Sequence, residues 1–284
     1  MSPSVAETIT RRSGSSFYYA FQILPREKRR AIYALYAFCR VVDDCVDESD
    51  GEREPGLRRW LAELHRCYAG RPETELGREL AEAVARFPIP RACFEEIVAG
   101  CRMDLEVRRY ASWEDLRVYC EHVASAVGLA SIEIFGYQDP RTRRYAVELG
   151  LALQLTNILR DVAADVARDR IYLPQEDLAR FAVDEPALLR AVREAGAPRP
   201  PGLDGLLAFE AERARSHYAA AAAELPAVDR RAMLAAEMMA AVYRALLEEW
   251  SRRGRRIAGP RLSLNAPRKA WIALRTIPRV YWGV

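Results

Sequence analysis

Residues 149–165 read LGLALQLTNILRDVAAD, and they decide the fold. The stretch is largely apolar, and its amides and carboxylates, Gln154, Asn157, Asp161 and Asp165, recur at spacings of three and four. On a helix those four side chains share one stripe. Buried polar groups need partners, so a stripe of amides and carboxylates on an otherwise apolar helix implies a lined cavity that holds ions.

A second stretch repeats half of this pattern. Residues 36–47 read YAFCRVVDDCVD, placing Asp43 and Asp47 at i and i+4. Two carboxylates one turn apart repel, and no base stands at an i+4 position to relieve them. A hard cation such as Mg²⁺ relieves them, because it takes carboxylate oxygen and keeps positions open for water and phosphate oxygen. Alone, the motif also suits an exposed acidic helix end. Two such helices facing each other make a site for several Mg²⁺ ions, which can neutralise charge on a departing diphosphate. The expected metal ligands are Asp43, Asp47, Asn157, Asp161 and Asp165. The four aspartates also form the expected catalytic set.

Outward from these motifs the chain reads as all-α. Ala, Leu, Arg and Glu abound, and strand-like runs are hard to find. Pro25 opens a helix through Asp47, and the acidic, Gly-containing segment 48–55 ends it. Further helices are predicted at 57–68, 76–86, 91–103, 113–135, 142–167, 185–195, 206–223, 228–253 and 266–276. A short helix is also expected after Pro174. Segment 197–205 is rich in Pro and Gly and reads as a loop. No shift in composition divides the 284 residues, so one helical bundle domain with a central cavity is expected over 1–284.

Composition narrows the chemistry. A net charge of +3 makes no case for nucleic acid. Six cysteines form no CxxC pair, and with three histidines they give no zinc pattern. No uninterrupted apolar run reaches the ~18 residues of a membrane span, and residues 1–12 lack a signal-peptide core. A cytoplasmic protein is therefore expected. From Arg252 to Arg279, however, there are nine Arg or Lys residues and no acid, interleaved with Trp271, Leu274 and Tyr281. That pattern suits either a solvated basic helix or peripheral contact with the anionic inner membrane.

Several residues complete a binding site for an apolar diphosphate. Arg40, Arg160, Arg168 and Arg170 adjoin the aspartates, beside Tyr172, and guanidinium groups bind phosphate bidentately. Each also suits a plain salt bridge to its neighbouring aspartate. Ser16, Phe17, Tyr19, Phe21, Tyr33 and Tyr36 form an aromatic-rich cluster. The small residues of 123–130 either let helices approach closely or leave room for a ligand.

These stretches together resemble the squalene and phytoene synthase family. Residues 36–47 resemble its first aspartate-rich signature, 149–165 with RIYLP at 170–174 its second, and SGSSFYYAF at 13–21 its N-terminal segment. The resemblance implies the isoprenoid synthase fold and a transferase that condenses two identical allylic diphosphates. Its implied site residues are the metal ligands above, with Ser16, Phe17, Phe21, Tyr36, Arg40, Gln154, Arg160, Arg170 and Tyr172 binding substrate. Segments 102–106, 119–128 and 262–271 are similar to the bacterial presqualene diphosphate synthases of hopanoid biosynthesis. That implies two farnesyl diphosphates as substrates, with other enzymes of the isoprenoid pathway as neighbours. Phytoene synthesis from two geranylgeranyl diphosphates is the alternative, followed by squalene or dehydrosqualene synthesis. No NADPH-dependent reduction is expected. Glu121 stands where some family members carry an active-site Tyr, so no catalytic Tyr is assigned and the released diphosphate is the implied base. An inactive, membrane-associated relative is the competing reading from a different class.

Overall fold

A computed structural model describes residues 3–13, 16–47, 53–194, 196–259 and 261–282, with the side chains of Ser16, Phe17, Tyr19 and Trp282 outside that description. Among the described residues there is no β-strand, only an isolated bridge between Arg109 and Ile171.

Among the described residues, fourteen α-helices follow one another: α1 (Val5–Arg12), α2 (Ser16–Phe21), α3 (Arg26–Asp47), α4 (Arg53–Tyr68), α5 (Glu75–Arg86), α6 (Arg91–Glu106), α7 (Trp113–Cys120), α8 (Ala126–Phe135), α9 (Thr142–Ala167), α10 (Gln175–Arg180), α11 (Glu185–Arg193), α12 (Leu203–Glu224), α13 (Leu234–Arg252) and α14 (Ala266–Trp282). A π-helical turn, Glu121–Ser125, joins α7 to α8 without a break. The composite helix Trp113–Phe135 is long and apolar enough to cross a membrane by length and composition. Here it packs against α6 and α9, as a core helix does.

Local chemistry sets the helix starts. Ser4 and Thr74 cap α1 and α5 with their side-chain oxygens, and Ser112 forms a capping box with Asp115 on α7. Several boundaries differ from the sequence reading. Helix α4 begins at Arg53, with Pro55 in its first turn, where a missing N–H costs no hydrogen bond. Helix α12 begins earlier than expected, after Gly202 turns the chain with φ +82°. Helix α13 begins later, and α14 runs on through Pro278. Helices α1 and α2 had no sequence signal strong enough to place them, being only 8 and 6 residues long.

The core sits between α3, α6, α8 and α9, with Phe38, Phe94, Phe135 and Tyr145 among its largest inaccessible side chains. Small residues set how closely these helices approach. A Cβ on Gly150 of α9 would come within 2.6 Å of the Ser125 backbone, and one on Gly128 of α8 within 2.7 Å of the Ala146 carbonyl. The small-residue stretch therefore serves tight packing, and the same helices also enclose a cavity.

Candidate active site

The cavity measures about 290 Å³. Arg40, Asp43, Asp104, Gln154 and Asn157 form its polar part, and Ile32, Leu35, Val127, Ile132, Phe135 and Leu149 lie among its apolar walls. Helix rise gives its depth. Asn157 and Tyr145 both line it, and twelve residues of α9 separate them, which is about 18 Å. The π-turn contributes Val123 and Ala124 to the wall, a usual place for such an interruption.

Asp104 of α6 was absent from the expected set, yet it stands between the two aspartate helices. It is buried, and its carboxylate accepts hydrogen bonds from Tyr172 at 2.6 Å and Tyr119 at 3.0 Å. Burial raises its pKa, against the pull of Arg170 and the two tyrosines. Its charge is felt by Asp43 on α3 and by Asp165 on α9, so both aspartate motifs reach one region. Asp43 keeps about half of its side-chain surface open, but that surface faces the recessed cavity. Burial, then Asp47 and Asp104, push it up to about 6. Burial and Asp161 push Asp165 up to about 7.

The partner motif residues are held differently. Burial opposes charge on Asp161, but hydrogen bonds from Arg160 and Arg261 keep it below the usual carboxylate range. Arg170 donates to Asp47 at 2.9 Å, and Arg168 lies 3.6 Å from the same carboxylate. Arg40 pairs with Asp44 at 2.5 Å and Asp43 at 3.5 Å.

Among the described residues, no three Asp, Glu, His or Cys side chains converge into a ready metal-binding cluster. The donor chemistry nevertheless fits a hard cation. Every candidate donor is oxygen, Asp43 and Asp165 carry poorly compensated charge, and the buried Asn157 Oδ1 has no hydrogen-bond partner. Metal binding by Asp47 and Asp161 would exchange guanidinium partners for the ion.

A second pocket of about 270 Å³ shares Tyr36, Arg40 and Asn157 with the first. Arg160, Tyr243, Arg261 and Lys269 also line it. Burial, then the neighbouring Arg160 and Arg261, lower the Lys269 pKa, since both disfavour its charged form. Its guanidinium and ammonium groups are of the kind that bind phosphate oxygens.

The expected substrate residues divide accordingly. Phe21, Tyr36, Arg40 and Gln154 line the main cavity, and Arg160 lines the second pocket. Arg170 and Tyr172 support Asp47 and Asp104 and are absent from the linings of both pockets. The side chains of Ser16 and Phe17 lie outside the described residues. Sequence reasoning missed Asp104, Tyr243, Arg261 and Lys269. Asp104 had a signal, an acid three residues after Cys101 on the apolar face of α6. Arg261 had none, being 100 residues from Asp161. Glu121 pairs with Arg117 at 2.6 Å, whereas Tyr119 lines the cavity.

A squalene/phytoene synthase family model matches residues 10–268. Phytoene synthase of Mycobacterium tuberculosis is 36% identical over 275 residues, covering 95% of this chain and 88% of that one. Presqualene diphosphate synthase of Rhodopseudomonas palustris is 36% identical over 267 residues, covering 92% of this chain and 91% of that one. The crystal structure of a dehydrosqualene synthase in complex with ligand superposes with a TM-score of 0.87 at 29% identity, covering 97% of this chain and 95% of that one. The fold, the paired aspartate helices and these matches agree: the chain belongs to the squalene/phytoene synthase family of prenyltransferases.

Proposed function

We propose that this prenyltransferase joins two farnesyl diphosphates head to head, forming presqualene diphosphate and free diphosphate. One observation carries the reading: an apolar enclosure opens onto the aspartates and also adjoins a basic pocket through the shared Tyr36, Arg40 and Asn157. Two prenyl chains and two diphosphates call for such an arrangement.

Magnesium held by Asp43, Asp47, Asn157, Asp161 and Asp165 would supply the charge that lets one diphosphate leave. The protein's own groups do the rest. Arg160, Arg261 and Lys269 hold phosphate oxygens in the basic pocket. The first substrate's C1–O bond breaks, and its electron pair leaves with the diphosphate. The apolar walls keep water from the allylic cation. The C2=C3 double bond of the second substrate attacks C1. Loss of a proton from that carbon then closes the cyclopropane, and the second diphosphate is retained. Tyr119 is a poor base for that proton. Burial, Tyr172 and Asp104 push its pKa well above the usual tyrosine value, and its hydroxyl already donates to Asp104. The released diphosphate is the base that remains.

The deep walls favour the shorter chain. Phe135 and Tyr145 are 2% and 1% exposed, and the Tyr145 hydroxyl donates to Glu237 at 2.8 Å, which fixes the ring. The phytoene synthase relatives support a second reading, phytoene formation from geranylgeranyl diphosphate.

The test is incubation with Mg²⁺ and either diphosphate, without a reductant, and mass spectrometry of the dephosphorylated lipids. Presqualene alcohol from farnesyl diphosphate is expected. Phytoene from geranylgeranyl diphosphate would move the enzyme to the second reading. No product from either would favour an inactive relative.

A further inference from the structure

Helix α14 buries one side and leaves the other in solvent. Ile272 packs into a small cluster with Leu264 and with Val242 and Leu246 of α13, and Thr276 is buried. At about 100° per residue, Ala270, Trp271, Leu274, Pro278 and Tyr281 fall within an arc of roughly 100° on the opposite side. All five are exposed. Trp271 and Leu274 are open to 57% and 63%.

Cations border this stripe. Arg268, Arg275 and Arg279 follow it along one edge. The Arg275 guanidinium stands 4.6 Å over the Trp271 ring, and Arg231 stands 5.2 Å over Tyr281. Among the described residues, neither Arg275 nor Arg279 meets a carboxylate. The whole stretch from Arg252 to Arg279 holds nine cations and no acid.

A contiguous exposed aromatic and aliphatic stripe calls for a partner. The charge decides which kind. A second copy seated by two-fold symmetry would set these arginines against their own counterparts. A bilayer with anionic headgroups offers opposite charge to the arginines and hydrocarbon to the stripe. We infer that α14 docks the protein on an anionic membrane surface. Trp271, Leu274 and Tyr281 enter the headgroup–acyl boundary, and Arg275 and Arg279 meet lipid phosphates. Lys269 of the same helix lines the basic pocket, so docking holds that pocket about one helix diameter, ~10 Å, from the lipid. The inference does not depend on which prenyl diphosphate the cavity takes.

The test is flotation of the full chain with phosphatidylcholine vesicles, with and without phosphatidylglycerol. The wild-type protein should float with the anionic vesicles and release at high salt. Arg275→Gln with Arg279→Gln should weaken binding about fivefold per charge removed. Trp271→Ala with Leu274→Ser should abolish flotation while circular dichroism stays unchanged, since both side chains are exposed. A wild-type protein that stays in the soluble fraction at every phosphatidylglycerol content overturns the inference. So does a Trp271/Leu274 variant that floats normally, or a solution dimer that this pair of substitutions splits.

Discussion

Arg170, just beyond α9, donates to Asp47 at the end of α3 across 2.9 Å, and its other terminal nitrogen donates to the Asp104 carbonyl at 3.3 Å. One buried guanidinium therefore ties together the ends of three helices that carry the site's carboxylates. Arg170→Met leaves Asp47 without its closest partner. We expect a loss of roughly 3 kcal/mol of stability and a collapse of turnover. Thermal denaturation and a product assay check both. Arg170→Lys, which keeps the charge but not the fork, should recover part of the stability.

Tyr172 was expected to touch substrate, and its hydroxyl donates to Asp104 at 2.6 Å. Tyr172→Phe should cost about 1.5–3 kcal/mol, the range for a hydrogen bond to a charged group. Turnover should fall through kcat, with KM little changed, because Tyr172 acts through Asp104. A rise in KM at constant kcat would mean direct contact with the substrate.

The basic pocket makes a different demand. Arg261 holds Asp161 and lines that pocket. Arg261→Gln should raise the Kd for inorganic diphosphate at least tenfold, as loss of a charge-assisted contact does. Isothermal titration in the presence of Mg²⁺ measures it.

Much of this site was legible in the sequence because its signals are local. Asp43 with Asp47, and Gln154 through Asp165, lie within single helices, where a spacing of three or four fixes the shared face. The ends of α3 and α9 were legible for the same reason. Arg261, Tyr243 and Lys269 join the site only through tertiary packing, and no periodicity links them to Asp161. Arg170 and Tyr172 hold Asp47 and Asp104 rather than line the pockets, an arrangement the sequence did not show because adjacency to a motif does not say on which side of it a side chain lies. Helices α1 and α2 were missed because segments this short carry too few turns to show a period.

Away from the site, Glu210 and Asp177 share Arg213, at 2.6 and 2.9 Å. Two buried carboxylates on one cation leave a charge uncompensated. Burial pushes Glu210 up from 4.5 to about 7, with Arg213 opposing and Asp177 adding to the rise. The folded state thus holds this proton more tightly than the unfolded chain does. Its stabilising effect is complete below about pH 4.5 and is lost as pH rises towards 7. Glu210→Gln should flatten the fall in stability across that window. Asp43 and Asp165 lean the same way, so some slope stays. Urea denaturation at several pH values checks this, and an unchanged slope would refute it.

The aspartates test the central claim most directly. Asp43→Asn removes a charge crowded by Asp47 and Asp104, so the variant should be at least as stable as the parent. Asp161→Asn breaks hydrogen bonds from Arg160 and Arg261, so it should be somewhat less stable. The decisive measurement is turnover of farnesyl diphosphate with Mg²⁺ in each variant, beside its circular dichroism. Full helix content with product formation reduced at least a thousandfold (about 4 kcal/mol of barrier) is the expected result. Near-normal turnover in either variant would contradict the assignment of these helices as the site that holds and releases diphosphate.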